Sequence, residues 1–261
     1  MNSNITALNG LRILVTRPLP AGKELCFALD SAGGKSIYFP TIEFAPSENV
    51  ELFQQQISQL DCYDSLVFIS PQSVYASSQS IHKQWPVFPS RVKIAAVGPG
   101  TAKALQEAKL PVQIYPQHEW SSQGLLDMPA FKMISEAKIA IMSGADGREF
   151  LAEELSARKA TVTNIIAYQR CVPRHNVGLY LELIESKNID AIVCTSGEGL
   201  RNLKHLLHAA AQHLQEIVLV VISERMLVLA QEFGWKTILL AKNPSHSAII
   251  EILKNSNLKK R

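Results

Sequence analysis

The sequence predicts an α/β protein made of two similar open parallel-sheet domains of flavodoxin-like or Rossmann-like type. Three observations point there. Short β-branched runs alternate with amphipathic segments along the chain, the pattern of a parallel sheet covered by helices. Those segments recur at a near-constant spacing. The chain has 261 residues, 47% of them hydrophobic and 19% charged, which corresponds to roughly two domains of about 150 residues, each with a core.

The strands are read at 12–16 (RILVT), 36–39 (SIYF), 65–70 (SLVFIS), 93–97 (KIAAV) and 112–115 (VQIY). They continue at 138–142 (KIAIM), 161–167 (TVTNIIA), 191–196 (AIVCTS), 217–223 (IVLVVIS) and 236–241 (KTILLA). Helical periodicity fills most of the gaps. In GREFLAEELSARKA, Phe150, Leu151 and Leu155 share one face while Glu149, Glu153 and Glu154 lie largely on the other.

The spacing is the more telling signal. Ile13 and Ile139 lie 126 apart (139 − 13), and the same offset carries Val15 onto Ile141, Leu25 onto Leu151 and Leu29 onto Leu155. It also carries Asp64 onto Asp190, Val67 onto Val193 and Ser70 onto Ser196, so DSLVFIS overlays DAIVCTS. Later it slips to 125, where Gln106-Glu107 meets Gln231-Glu232 (231 − 106). Two copies of one α/β unit are the economical reading. The offset pairs NIIAYQ with YFPTIE; in both, an apolar run passes into a polar or proline-marked extended segment, as at a crossing between domains.

Composition excludes several classes. A net charge of +3 and a pI near 8.6 are too mild for a dedicated nucleic-acid binder and fit an acidic small-molecule ligand. Cys26, Cys62, Cys171 and Cys194 form no CxxC pair, and with no leader-like segment they read as reduced thiols of a cytoplasmic protein. The apolar runs fall short of the ~20 residues of a membrane span. No GxGxxG follows the first strand, and neither GxxxxGK[ST] nor GxSxG occurs, which disfavours dinucleotide, P-loop and hydrolase chemistry. His205, His208 and His213 have no carboxylate or thiolate at ligand spacing and read as solvated helix residues, with no metal expected. Trp85, Trp120 and Trp235 are isolated and read as packing or cap residues.

The strand ends carry the functional signal. SLVFIS runs into Pro71-Gln72-Ser73, KIAAV into Gly98-Pro99-Gly100-Thr101, and KIAIM into Ser143-Gly144-Ala145-Asp146-Gly147-Arg148. AIVCTS runs into Gly197-Glu198-Gly199, and VVIS into Glu224-Arg225. Helix capping accounts for small and hydroxyl residues at such places. In an open parallel sheet these loops also share the carboxyl edge, where ligands bind, and free amides at helix starts attract anions. The expected ligand carries several carboxylates or phosphates.

In this order the chain resembles the uroporphyrinogen-III synthase family. The matching elements are ILVTRP, VFISPQSV, AAVGPGTAKAL, WSSQGLL, GADGREFLAEEL ahead of IAYQRCVP, CTSGEGLRNL and VISERM, over nearly the whole chain. Two positions depart: Gln72 replaces the Asn of an S-x-N-A-V-like element, and Met226 stands where some members have Thr. The resemblance implies two α/β domains joined by a two-stranded linker, with the active-site cleft between them. The first domain would be 1–38 plus 172–261 and the second 39–171, with linkers near 37–44 and 166–174.

The resemblance also implies the chemistry, a cofactor-free cyclisation of hydroxymethylbilane, a linear tetrapyrrole with eight carboxylates, in haem biosynthesis. The terminal hydroxyl leaves to give an azafulvene, and the ring closes through a spiro intermediate with inversion of the last pyrrole. Catalysis would come from orientation and from donors that bind carboxylates. Tyr168 is the catalytic candidate, its phenol donating to the departing hydroxyl. A free tyrosine loses its proton only at about pH 10, so assistance on the order of 10²-fold is expected. Ser70, Ser73, Thr101, Ser122, Ser196 and Ser223 with the amides of Gly98, Gly144 and Gly197 are the substrate-binding candidates, and Arg17, Arg148 and Arg225 add charge. No cofactor, nucleic acid or membrane is implied. The expected partner is the small-molecule substrate, handed over by the preceding pathway enzyme to a monomer. A non-catalytic two-domain sensor of a polyanion and an α/β transferase acting on a phosphorylated substrate remain open beside it.

Overall fold

A computed structural model describes residues 8–147, 149–256 and 258. Ten strands are present among them. They are β1 (Arg12–Val15), β2 (Lys35–Tyr38), β3 (Glu43–Pro46), β4 (Ser65–Phe68), β5 (Lys93–Ala96), β6 (Lys138–Gly144), β7 (Thr161–Cys171), β8 (Ala191–Val193), β9 (Val218–Val221) and β10 (Ile238–Leu240). They form two five-stranded sheets, in the orders β10-β9-β8-β1-β2 and β3-β7-β6-β4-β5. The chain divides into two compact units, Met1–Glu43 with Cys171–Arg261, and Phe44–Arg170.

Sequence neighbours do not stay together. The first sheet takes β1 and β2 from the first copy of the repeat and β8 to β10 from the second. The second sheet takes β6 and β7 from the second copy and β4 and β5 from the first. The two orders then coincide: β2-β1-β8-β9-β10 overlays β7-β6-β4-β5, and the segment at Ile114 supplies the last place through a parallel bridge to Ala95. This is the doubly wound order in which the strand sequence reverses beside the first strand. The predicted strand at 112–115 is therefore a single bridge, and β3 is a strand that the sequence pattern does not predict.

The repeat reaches into backbone detail. Three turn positions take left-handed conformations in both copies: Gly10 and Glu136 (φ 74 and 68), Gly33 and Lys159 (84 and 66), Lys109 and Gly234 (56 and 87). The matched aspartates do the same work. The Asp190 carboxylate accepts from the Arg12 amide at 2.8 Å, and the Asp64 carboxylate from the Lys138 amide at 2.8 Å. Each thereby holds the first residue of the leading strand of its sheet.

The two aspartates differ in burial. Asp190 is buried, and its carboxylate also takes two bonds from the Arg12 guanidinium at 2.7 and 2.9 Å; that hydrogen bonding raises the arginine's pKa. Asp64 is exposed. Asp190→Asn is therefore expected to cost about 3 kcal/mol, because it takes the charge out of a buried carboxylate that accepts two bonds from the guanidinium. Asp64→Asn should cost under about 1 kcal/mol, since the amide oxygen still accepts. Urea unfolding of the two variants checks this; equal losses would contradict it.

Alternation sends each strand's apolar residues to both faces. In the first sheet Leu14, Ile192, Leu219 and Val221 join one buried cluster, and Ile13, Val15, Val193 and Val220 the other. In the second sheet Leu66, Phe68, Ile94 and Met142 face one way, and Val67, Ala95, Ile139 and Ile141 the other. Helices cover all four faces, so the carboxyl edges are what each unit leaves open.

Candidate active site

In the Phe44–Arg170 unit the carboxyl ends of β4, β5, β6 and β7 surround a pocket of about 400 Å³. It opens where the strand order reverses, between β6 and β4, the place where doubly wound sheets bind ligands. Ser70 stands after β4, Val97 after β5, Gly144 ends β6 and Tyr168 lies in β7, while Trp120, Ser121 and Ser122 close one side. Asp146 and Arg170 are the charged residues lining it among the described ones. The polar lining is thus mostly hydroxyl.

Tyr168 owes its place to a β-bulge. β6 and β7 pair in register to Ser143 and Ile166, then Gly144 meets Tyr168, so Ala167 has no opposite number. An extra residue in one strand turns the following side chain to the other face. Ile165 is buried and Ile166 exposed, as alternation requires, but Ala167 and Tyr168 are both buried. Without the bulge the tyrosine would point where Gln169 does. The strand also runs on to Cys171, past the end at 167 expected from the apolar pattern. The bulge, the bond from the Ala145 amide to the Tyr168 carbonyl at 2.9 Å, and β3 alongside keep the polar segment paired.

The ring is fixed on three sides. Its face lies on Gly144, where an added Cβ would stand 2.7 Å from both Cε2 and Cζ. Phe44 meets it edge-on, with centroids 5.3 Å apart at 88°. The hydroxyl is 3.4 Å from Ser70 Oγ. That Oγ already accepts from the Ser73 amide at 3.1 Å as the cap of the helix Pro71–Gln84, so the serine hydrogen can go to the phenol oxygen. The phenol hydrogen then stays available to the pocket.

The other candidates divide between the two units. Ser70, Ser122, Gly144 and Tyr168 line this one pocket, and Gly98 lies under Trp120. Ser73 is fully buried and its hydroxyl donates to the Ser70 carbonyl at 2.7 Å; Thr101 is 4% exposed. Both are packed inside the unit rather than presented at its pocket. Arg148 lies outside the described residues. Arg17, Ser196, Gly197, Ser223 and Arg225 belong to the other unit, at the carboxyl edge of its sheet. There Ser196 and Ser223 cap helices by accepting from the Gly199 and Met226 amides. Arg17 donates to the Pro244 carbonyl at 3.1 Å, and burial pushes its pKa down.

Sequence reasoning passes over Trp120, Ser121, Asp146 and Arg170. Ser121, not Ser122, caps the helix Ser122–Leu126, accepting from the Gly124 amide. Trp120 does not pack as its isolated position suggests, since 64% of it is exposed. An aromatic set directly before a capping serine is the available signal.

Among the described residues no helix is long and apolar enough to cross a membrane, and no group of three or more His, Cys, Asp or Glu could hold a metal ion. The family described as uroporphyrinogen-III synthase HemD matches residues 23–251. The uroporphyrinogen-III synthase of Escherichia coli is 34% identical over 248 residues, covering 93% of this chain and 100% of that protein. The one from Salmonella typhimurium is 32% identical over the same shares. Among solved structures, uroporphyrinogen-III synthetase from Helicobacter pylori superposes with a TM-score of 0.60 at 15% identity, over 95% of this chain and all of that one. A mutant uroporphyrinogen III synthase from Thermus thermophilus gives 0.56 at 15%, over 92% and 96%.

Proposed function

Because the chain belongs to the uroporphyrinogen-III synthase family, we propose that it closes hydroxymethylbilane to uroporphyrinogen III, with loss of water and inversion of the last pyrrole, and that Tyr168 assists the departure of the hydroxyl. The observation that carries the second part is the bulge that turns Tyr168 toward a hydroxyl-lined pocket, with Ser70 beside its oxygen.

The steps derive from the substrate's own reactivity. The lone pair of the terminal pyrrole expels the hydroxyl, which needs a proton as it leaves. The Tyr168 phenol donates to it, and the Ser70 hydroxyl, donating in turn to the phenol oxygen, steadies the charge that gathers there. The substituted carbon of the last ring then attacks the azafulvene, the spiro intermediate breaks its older bond to the neighbouring methylene, and the free α-carbon of the inverted ring closes on that methylene with loss of its proton. What the protein must supply is restraint of a flexible polyanion, so that the substituted carbon and not the free one meets the electrophile. The Ser122 hydroxyl is suited to a carboxylate that falls within this pocket, since the Ser121 hydroxyl donates to the Glu119 carboxylate at 2.9 Å and the Ser70 hydroxyl to the phenol.

Hydroxymethylbilane closes to the uninverted isomer unaided, so a short passage from the preceding pathway enzyme within the cytoplasm suits the reaction. Incubating the protein with freshly prepared hydroxymethylbilane and resolving the product isomers tests the reading. The inverted isomer should form in excess over a blank. Only the uninverted isomer, at the rate of the blank, would overturn it and favour a sensor or a transferase.

A further inference from the structure

The three tryptophans are used differently. Trp235 is 5% exposed, and Trp85 is half-buried with its indole N–H donating to the Ile57 carbonyl at 2.8 Å. Trp120 holds most of its ring in the open, at the rim of the Tyr168 pocket. Exposure alone does not set it apart, since Phe27 is 76% exposed; what does is an open aromatic face in the lining of a ligand-sized pocket.

Its root is rigid although its ring is open. The Trp120 Cα and Cβ sit over Gly98, where an added Cβ would be 3.3 Å from the tryptophan's own. On the far side, Gly124 lets the turn close on itself; a Cβ there would stand 1.9 Å from the Glu119 carbonyl oxygen. The Ser121 amide donates to that same oxygen at 3.0 Å, and the Ser121 hydroxyl accepts from the Gly124 amide at 3.0 Å. The indole is thus carried on a braced turn beside Ser121 and Ser122, in the pocket lining it shares with Tyr168.

We propose that Trp120 is a stacking platform, a binding residue that holds one carboxylate-bearing pyrrole ring of the tetrapyrrole in the Tyr168 pocket. The assignment rests on the synthase reading and adds to it what the ligand must offer here: a flat aromatic face with anionic arms. The face lies against the indole, and an arm reaches the neighbouring Ser122 hydroxyl. A plain polycarboxylate or a sugar phosphate would satisfy the hydroxyl but have no use for the indole.

The test pairs Trp120→Phe with Trp120→Leu, both at a position whose ring is largely outside the core. Trp120→Leu should raise KM about threefold to tenfold, the range of one aromatic pair, with kcat within about twofold of wild type. Trp120→Phe should keep KM within about twofold, because a smaller aromatic face remains. Indole emission of the wild-type protein should shift on anaerobic titration with uroporphyrinogen III, and that shift should vanish in Trp120→Leu. Equal KM values for the two variants, or wild-type emission unmoved at saturating product, would overturn the platform while normal turnover left the synthase reading intact. An emission shift without any turnover would do the reverse.

Discussion

Replacing Tyr168 with Phe should lower kcat about 10²-fold and leave KM within about twofold of wild type. The phenyl ring can keep its seat on Gly144 and its edge contact with Phe44, so nothing that shapes the pocket is lost. Only the hydroxyl goes, and with it the proton donor proposed for the leaving group. A neutral phenol is a weak acid, so the effect belongs at the low end for general acid catalysis. Packing around the ring is unchanged, so the urea midpoint should not move by more than about 0.5 kcal/mol equivalent. A kcat near that of wild type would remove Tyr168 from the chemistry and leave it as a wall of the pocket.

Gly144→Ala should have an effect of similar size by a different route. A methyl group there would meet the tyrosine ring at 2.7 Å, where carbon atoms rest at about 3.5–4.0 Å. The ring must move by about 1 Å, and a displacement of that size in a reacting group can cost about 10²-fold. The glycine is thus proposed to act through Tyr168 as a positioning residue. The distinguishing result is the double variant. If Gly144→Ala acts only by misplacing the hydroxyl, it should change kcat less than about threefold in a Tyr168→Phe background. Its cost to stability, about 1–3 kcal/mol for overpacking, should appear in both backgrounds. Full, additive loss of kcat in the double variant would contradict the positioning role.

Much of the fold can be read from the chain because its signals are local or periodic. The offset that pairs Asp64 with Asp190 and Ser70 with Ser196 recurs in the structure as matched carboxylate–amide bonds and matched helix caps. It extends to the turns that carry left-handed residues, although lysine or glutamate stands in place of glycine at three of the six. Periodicity says nothing about partners, however. That β1 pairs with β8 rather than with a later strand of its own copy depends on long-range hydrogen bonding, which offsets between similar copies leave undecided. The edge strand β3 escapes sequence reading because Glu43, Ala45 and Pro46 carry no strand signal, and its place beside β7 comes from pairing alone.

The site shows the same division. Ser70, Ser122 and Gly144 are legible as residues that succeed strands or open helices, and the structure gathers them with Tyr168. Ser73 and Thr101 look equivalent in the sequence, yet helix phase turns them inward, where the Ser73 hydroxyl is satisfied by its own turn. The direction of Tyr168 is not legible at all. Strict alternation after Ile165 sends it to the wrong face, and only the one-residue bulge opposite Gly144 returns it. Trp120 escapes for a related reason. Its exposure depends on the braced turn beneath it, which needs Gly98 and Gly124 together.

The central claim is that ring closure with inversion occurs at the pocket into which Tyr168 points. It is tested most directly by the isomer ratio formed when wild type and Tyr168→Phe compete, side by side and at the same low enzyme concentration, with the spontaneous closure of hydroxymethylbilane. At a concentration where wild type yields the inverted isomer almost alone, the variant should yield mostly the uninverted one. The inverted isomer from both, formed at the same rate, would contradict the account.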